Sequence, residues 1–250
     1  MKIPYASDSY STFDGRSFES MGIVIERVHD DLPSVSEESE SRVGSDGNRI
    51  LSLSLAPKEI TLECRAFEGR WQDFEELKDA LASWLLTNDE RTLTLRTHPG
   101  QRYKAHYSSF TEGERKGGTG IGGFEITFVA SDPIRYGESR ALVVKSGGSG
   151  NLTIAGTREA DMVITASAAT RDSSGMWGMT VDGRQMVVPI PSSGQKSVRI
   201  DCVTQTVTVA GQPGMLTLSS LWPKFTPGTH RVTMTKGTGA ATFSWVQRYA

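Results

Sequence analysis

The chain has 250 residues, enough for one large β domain or two domains of ordinary size. Its formal charge is only −2, so no overall field draws it to nucleic acid or to anionic lipid. Apolar residues make up 37%, enough for two modest cores, yet no uninterrupted apolar run reaches the length of a membrane-spanning helix.

The N-terminal stretch MKIPYASDSYSTFDG has no apolar signal core, so the expected place of synthesis and residence is the cytosol, or export without a cleaved signal. Asp14-Gly15 is a turn signal between short extended pieces. Residues 16–28 read as a strand with Met21, Ile23 and Ile25 on one face. Residues 30–48 are polar, with Glu37, Glu38 and Glu40 close together, and are expected to form a long loop or an arm. Leu51, Leu53 and Leu55 then alternate with serines, and Ile60, Leu62, Cys64 and Ala66 alternate with polar residues. With Ala56-Pro57-Lys58-Glu59 between them, the two runs read as an antiparallel pair with one buried face.

One helix stands out over residues 71–86, where Trp71, Phe74, Leu77, Leu81, Trp84 and Leu85 recur every three or four positions. Asp73, Glu75 and Glu76 suit its positive N-terminal end. The tryptophans are read as core, because burying an indole removes so much apolar area from water. A hairpin around His98-Pro99-Gly100-Gln101 follows, and then a long hairpin with a charged, glycine-rich tip at residues 111–123. Phe124, Ile126, Phe128 and Ala130 define the last core strand of a first domain, which Asp132-Pro133 closes. The second half is a run of short alternating segments separated by turn signals such as Asp182-Gly183 and Pro227-Gly228, the pattern of a β-sandwich. The fold expected is mainly β with one helix, divided at residues 1–138 and 139–250.

No constellation of reacting groups emerges. Gly118-Thr-Gly-Ile-Gly-Gly123 has dinucleotide-loop spacing, but a strand follows it where a helix N-terminus is required. His29, His98, His106 and His230 are scattered, although His98 and His106 flank one hairpin and could approach across it. Glu112 and Glu114, two apart on a hairpin tip, lack the buried surroundings of an acid/base pair. Cys64 and Cys202 fall in different domains on apolar strand faces and read as buried thiols. Arg115-Lys116 is too short a basic patch for nucleic acid. The expectation is therefore a non-enzymatic protein without metal or cofactor. Trp222, in a loop with Pro223, Phe225 and Pro227, and Trp177 are the candidates for stacking on a sugar ring.

The order of features carries a resemblance. Residues 42–47 (Arg-Val-Gly-Ser-Asp-Gly) precede an antiparallel pair and a helix ending in Trp84-Leu85. A hairpin holding Tyr103, a tip holding Glu112, Glu114, Arg115, Lys116, Gly117 and Gly118, and a strand closed by Asp132-Pro133-Ile-Arg-Tyr136-Gly137 come next. In the second half, Ile200-Asp201-Cys202 leads to Thr206-Val-Thr-Val209, and Pro227-Gly228 to Phe243-Ser-Trp245. Over nearly its whole length the chain resembles the distal tail proteins of siphophages. The resemblance implies a barrel-like N-terminal domain with a helix, assembled as a homohexameric ring that could stack back to back in crystals. It implies a galectin-like C-terminal sandwich. It also implies a place in the virion, after assembly in the host cytoplasm, between the tail-tube protein and the tail-tip, tail-fibre or receptor-binding proteins, without nucleic-acid binding or membrane insertion. The tip residues are the candidates for subunit contacts. The alternative is a sandwich that binds host cell-wall polysaccharide.

Overall fold

The structure, a computed structural model, describes residues 10–41, 44, 46–67, 71, 73–113 and 122–250. The chain divides into two units, Met1–Arg135 with Ala250, and Tyr136–Tyr249. Each has its own hydrophobic core, and the two cores share no residue.

In the first unit, β1 (Thr12–Phe13) and β2 (Arg16–Ser17) form a minimal hairpin. Its turn, Asp14-Gly15, takes positive φ at both residues, the arrangement that matches strand twist. A 3-10 turn at Glu19–Met21 leads into β3 (Ile23–His29). A bulge around Glu26 shifts the register of β3 against its partner. That shift is why Ile23 and Ile25 are followed on the core side by Val28, an irregularity in the alternation of residues 16–28.

The next two elements correct the sequence reading. Residues 30–48 are not simply loop: β4 (Val35–Ser41) pairs with β5 (Asn48–Leu55) as a two-stranded hairpin. Leu51, Leu53 and Leu55 therefore do not pair with the 60–66 run. That run is β6 (Lys58–Ala66), and it lies between β3 and β9. Alternation revealed the strands but not their partners, because a period of two specifies a face and not a neighbour.

Helix α1 (Phe74–Leu85) starts at Asp73, whose carboxylate accepts the backbone N–H of Glu76 at 2.9 Å. Leu77, Leu81, Trp84 and Leu85 are its buried face. Trp84 packs among Phe13, Phe18 and Phe128, with Phe18 at 4.9 Å between centroids and Phe13 at 5.0 Å from Phe128. After α1 come β7 (Arg91–Thr94), β8 (Arg102–Glu112) and β9 (Gly123–Ala130). β8 pairs with β7 through residues 102–105 and with β9 through residues 106–112, with an irregularity at Tyr107–Ser109. One strand thus serves two neighbours, and the antiparallel ladder runs β2-β1-β7-β8-β9-β6-β3 around a single core.

In the second unit the strands are β10 (Arg135–Val144), β11 (Ser149–Ile154), β12 (Val163–Ala169), β13 (Met176–Val181) and β14 (Arg184–Pro189). They continue with β15 (Lys196–Asp201), β16 (Thr206–Val209), β17 (Gln212–Gly214), β18 (Gly228–Lys236) and β19 (Ala241–Tyr249). One sheet runs β17-β16-β15-β12-β19-β10 and the other β11-β18-β13-β14. Their inner faces enclose Ile164, Trp177, Met179, Val188, Ile200, Phe225, Val232 and Phe243, which makes a β-sandwich. Gly178 is required where β13 and β14 come close: a Cβ there would lie 2.5 Å from the Met186 carbonyl oxygen. The outer edge of β14 is covered by residues 217–221. Thr217 N–H donates to the Val187 carbonyl at 2.9 Å, Leu221 N–H to Gln185 at 3.0 Å, and the Ser220 hydroxyl accepts the Val187 N–H at 3.0 Å.

Candidate functional site

The β4–β5 hairpin is the element without an explanation inside its own unit. It forms a sheet of two strands, and its residues are exposed along both except Leu55, which is half-buried. Register places Val35 opposite Leu55, Glu37 opposite Leu53, and Ser39 opposite Ile50. Directly opposed residues share a face, so Val35, Leu55, Leu53 and Ile50 form an apolar stripe. The other face pairs Ser36 with Ser54, Glu38 with Ser52 and Glu40 with Arg49. The hairpin is amphipathic, yet Val35 is 63% exposed, Leu53 62% and Ile50 53%. An isolated two-stranded hairpin is at best marginal in water, so such a face needs a cover.

The base of the hairpin is anchored firmly. Ala56 N–H donates to the Ser34 carbonyl at 2.9 Å. Just before it, the Asp30 carboxylate is buried and forms an ion pair with the buried ammonium of Lys58. Lys58 also donates to the Tyr103 hydroxyl at 3.0 Å, and that hydroxyl donates to both Asp30 oxygens at 2.9 and 3.1 Å. Burial, helped by the Asp30 charge, pushes the Tyr103 phenol above its ordinary range and keeps it a donor. His98 Nε2 is 3.0 Å from Asp30 Oδ2, and Arg135 reaches the same oxygen at 3.9 Å. The sequence reading missed this cluster. The signal was parity: Lys58 is in step with the inward residues Ile60, Leu62, Cys64 and Ala66, so the β6 pattern puts its side chain inside.

Of the predicted contact residues, Glu112 alone lies among the described residues. Glu112 closes the β8–β9 pairing opposite Phe124 and forms an ion pair with Lys78 of α1, which also donates to Glu75 at 3.0 Å. It is held within its own subunit. Glu114, Arg115, Lys116, Gly117 and Gly118 lie outside the described residues, as do Arg42, Val43 and Ser45 of the 42–47 stretch. Beside Lys78, an apolar cavity of about 210 Å³ is lined by Leu81, Leu85, Leu86, Tyr107 and Phe110.

Trp177 corrects an expectation. It is fully buried in the sandwich core, so it offers no face to a sugar. Trp222 is half-buried and packs against that core. Next to it Phe225 is buried, and His230 is held at both ring nitrogens, by Asp182 at 2.7 Å and by the Thr226 carbonyl at 2.7 Å. This fixes the loop that carries Trp222.

His98 and His106 do not meet across their hairpin: His98 faces Asp30, and His106 lies 4.0 Å from Glu90. Among the described residues no three His, Cys, Asp or Glu side chains are grouped to hold a metal ion. Both thiols are free; burial pushes Cys202 up to about 12 and Cys64 higher still, so neither is a ready nucleophile. Among the described residues no helix is long and apolar enough to cross a membrane.

Comparison with known proteins agrees with the two-part architecture. Residues 16–130 match the phage tail protein RIFT-related domain, and residues 155–249 match the C-terminal domain of the siphovirus-type tail component. Among solved structures, the chain is similar to SPP1 Dit, described as a paradigm of the hub adsorption apparatus in phages infecting Gram-positive bacteria. The TM-score is 0.73 at 18% identity, over 96% of this chain and 99% of that one. A chain of the phage P2 baseplate in its activated conformation with Ca is more distant, with a TM-score of 0.42 at 10% identity over 96% of this chain and 97% of that one. Comparison with curated proteins gives no match.

Proposed function

The chain belongs to the distal tail protein family of siphophages, structural proteins of the tail hub and baseplate, and from that premise we propose that six copies close into a ring. In this reading the ring joins the end of the tail tube to the tail-tip or baseplate proteins that attach to the host. Assembly takes place in the host cytoplasm, and the protein acts without catalysis.

The observation that carries the ring is the uncovered face of β4–β5. Full burial of one Val, Leu or Ile side chain contributes about 1.5–3 kcal/mol. Val35, Ile50 and Leu53 on the face, with Leu51 at its bulge, are each about half to two-thirds exposed, so covering them could together contribute about 3–7 kcal/mol, which reaches the lower end of the roughly 4–15 kcal/mol cost of associating two bodies. An arm that leaves its own core and covers its apolar face on the next copy is a heterologous contact, the kind that closes into rings. The charged 111–123 tip is a second proposed contact.

Native mass spectrometry of the intact protein and cryo-electron microscopy of assembled tails test this. The expected species is a hexamer that Leu53→Asp dissociates while each subunit stays folded. A monomer at every concentration, and a stoichiometry other than six in tails, would overturn it.

Polysaccharide binding by the sandwich rests on Trp222 alone once Trp177 is buried. A tryptophan-fluorescence titration with host wall polysaccharide, compared with Trp222→Ala, tests it. No response from the intact protein rejects it.

A further inference from the structure

The cluster at the base of the hairpin contains one ring nitrogen with two incompatible partners. His98 Nε2 lies 2.5 Å from Nη1 of Arg135 and 3.0 Å from Oδ2 of Asp30. An imidazole nitrogen carries either a lone pair or a proton. With its proton on Nδ1, neutral His98 uses the Nε2 lone pair to accept from the Arg135 guanidinium. Protonated His98 donates its Nε2–H to Asp30, and no lone pair remains on Nε2 to accept from Arg135.

The charges that face the ring come from four elements. Asp30 follows β3, Lys58 is on β6, Tyr103 is on β8, and Arg135 begins β10. Tyr10, Arg96 and Arg102 line the open cavity of about 280 Å³ that His98 also lines. With His98 neutral, Asp30 faces two cations, Lys58 and Arg135. Protonation adds a third. Lys58 cannot leave easily: it is buried and is held by both Asp30 and the Tyr103 hydroxyl. Arg135 is held less well. Its Nη1 is 3.9 Å from Asp30, its Nε is buried without a partner, and its other contact here is from Nη2 to the Ala250 backbone oxygen at 3.1 Å.

We propose that protonation of His98 moves it from Arg135 to Asp30 and frees Arg135, so that the chain's exit from the first unit, residues 131–137, is fastened by a proton-operated latch. The proton comes from solvent and no covalent bond changes. Burial first, and then the Arg135 and Lys58 charges, hold His98 below the ordinary imidazole range against the pull of Asp30. The latch is therefore closed at neutral pH and opens in acid. It is independent of the ring reading, since every group in it belongs to one subunit.

Hydrogen exchange of the full chain from pH 8 to pH 5, corrected for intrinsic rates, reads the latch directly. Protection of residues 131–137 is expected to fall about five-fold or more on acidification, the ratio given by about 1 kcal/mol. In His98→Asn, which cannot take up the proton, protection there is expected to be independent of pH. In Arg135→Gln it is expected to be low throughout, with β6 and β8 still protected in both variants. Unchanged protection in the wild type, or the same acid-induced loss in His98→Asn, would overturn the proposal. Should His98→Asn not fold, ¹⁵N NMR of the wild-type imidazole decides. Nε2 is expected to be bare at pH 8 and protonated at pH 5, with a concurrent shift of the Arg135 guanidinium; an Nε2 that keeps one state over this range overturns it.

Discussion

Phe128 has no exposed surface; its ring lies tilted against Phe13 and edge-to-face with Phe18. An aspartate there would leave an unpaired carboxylate among aromatic rings, at a cost of several kcal/mol. Phe128→Asp is expected to unfold the first unit, seen as loss of protection across β6, β8 and β9; a normally melting variant would contradict the burial. The buried pair of Asp30 and Lys58 makes a second prediction at this scale. Asp30→Ala strands the ammonium and is expected to cost about 3–5 kcal/mol in urea unfolding, because a buried charge without its partner is far less favourable than the pair. In the second unit, burial of His230 opposes its charge, but the Thr226 carbonyl and Asp182 outweigh this and raise its pKa. Asp182 is lowered despite burial, by His230 and by the Arg231 N–H at 2.8 Å. The signs set a window. His230's contribution is complete below the unfolded value of about 6.5 and fades as pH rises through the higher folded value. Asp182's is complete above its unfolded value of about 3.9 and fades as pH falls through the lower folded one. The sandwich should therefore be most stable in mildly acidic solution, and NMR titration should place the His230 midpoint above 6.5; a midpoint below that would contradict the geometry.

At the level of elements, the hairpin and the helix behave oppositely. Leu81→Ala in α1 removes a buried side chain and should destabilise the isolated subunit by about 2–5 kcal/mol. Ile50→Ser in β5 removes an exposed one and should leave subunit stability within about 0.5 kcal/mol while weakening association. Equal losses of melting temperature in the two variants would mean that the hairpin is part of the subunit's own core. These elements also mark how far the sequence could be read. The helix was legible because its stripe and its cap at Asp73 agree. β9 and the sandwich strands were legible because alternation coincides with turn residues such as Asp182-Gly183, both at positive φ. Pairing was not legible. The leucine–serine alternation of residues 51–55 means one apolar face, and nothing in the period says whether that face meets its own core or another chain. The Asp30 cluster was hidden for a related reason: its members come from positions 30, 58, 98, 103 and 135, which only the fold brings together.

On the scale of the molecule, two cores without a shared residue allow each unit to stand or fall on its own packing. Phe128→Asp is therefore expected to spare the sandwich, and β12, β13 and β18 should keep their exchange protection while the first unit loses it. Joint collapse of both would show that the units fold as one. Recognition divided along the same line, with one family domain matched in each half.

The strip at residues 217–221, which occupies the free hydrogen-bonding rim of β14, bears on life in a crowd. Subunits gathered at high local density would otherwise offer one another bare strand margins, the route by which sheets zip into endless fibrils. With that margin already occupied by its own polypeptide, each sandwich shows its neighbours one bare edge fewer, and the chance of uncontrolled fusion falls accordingly.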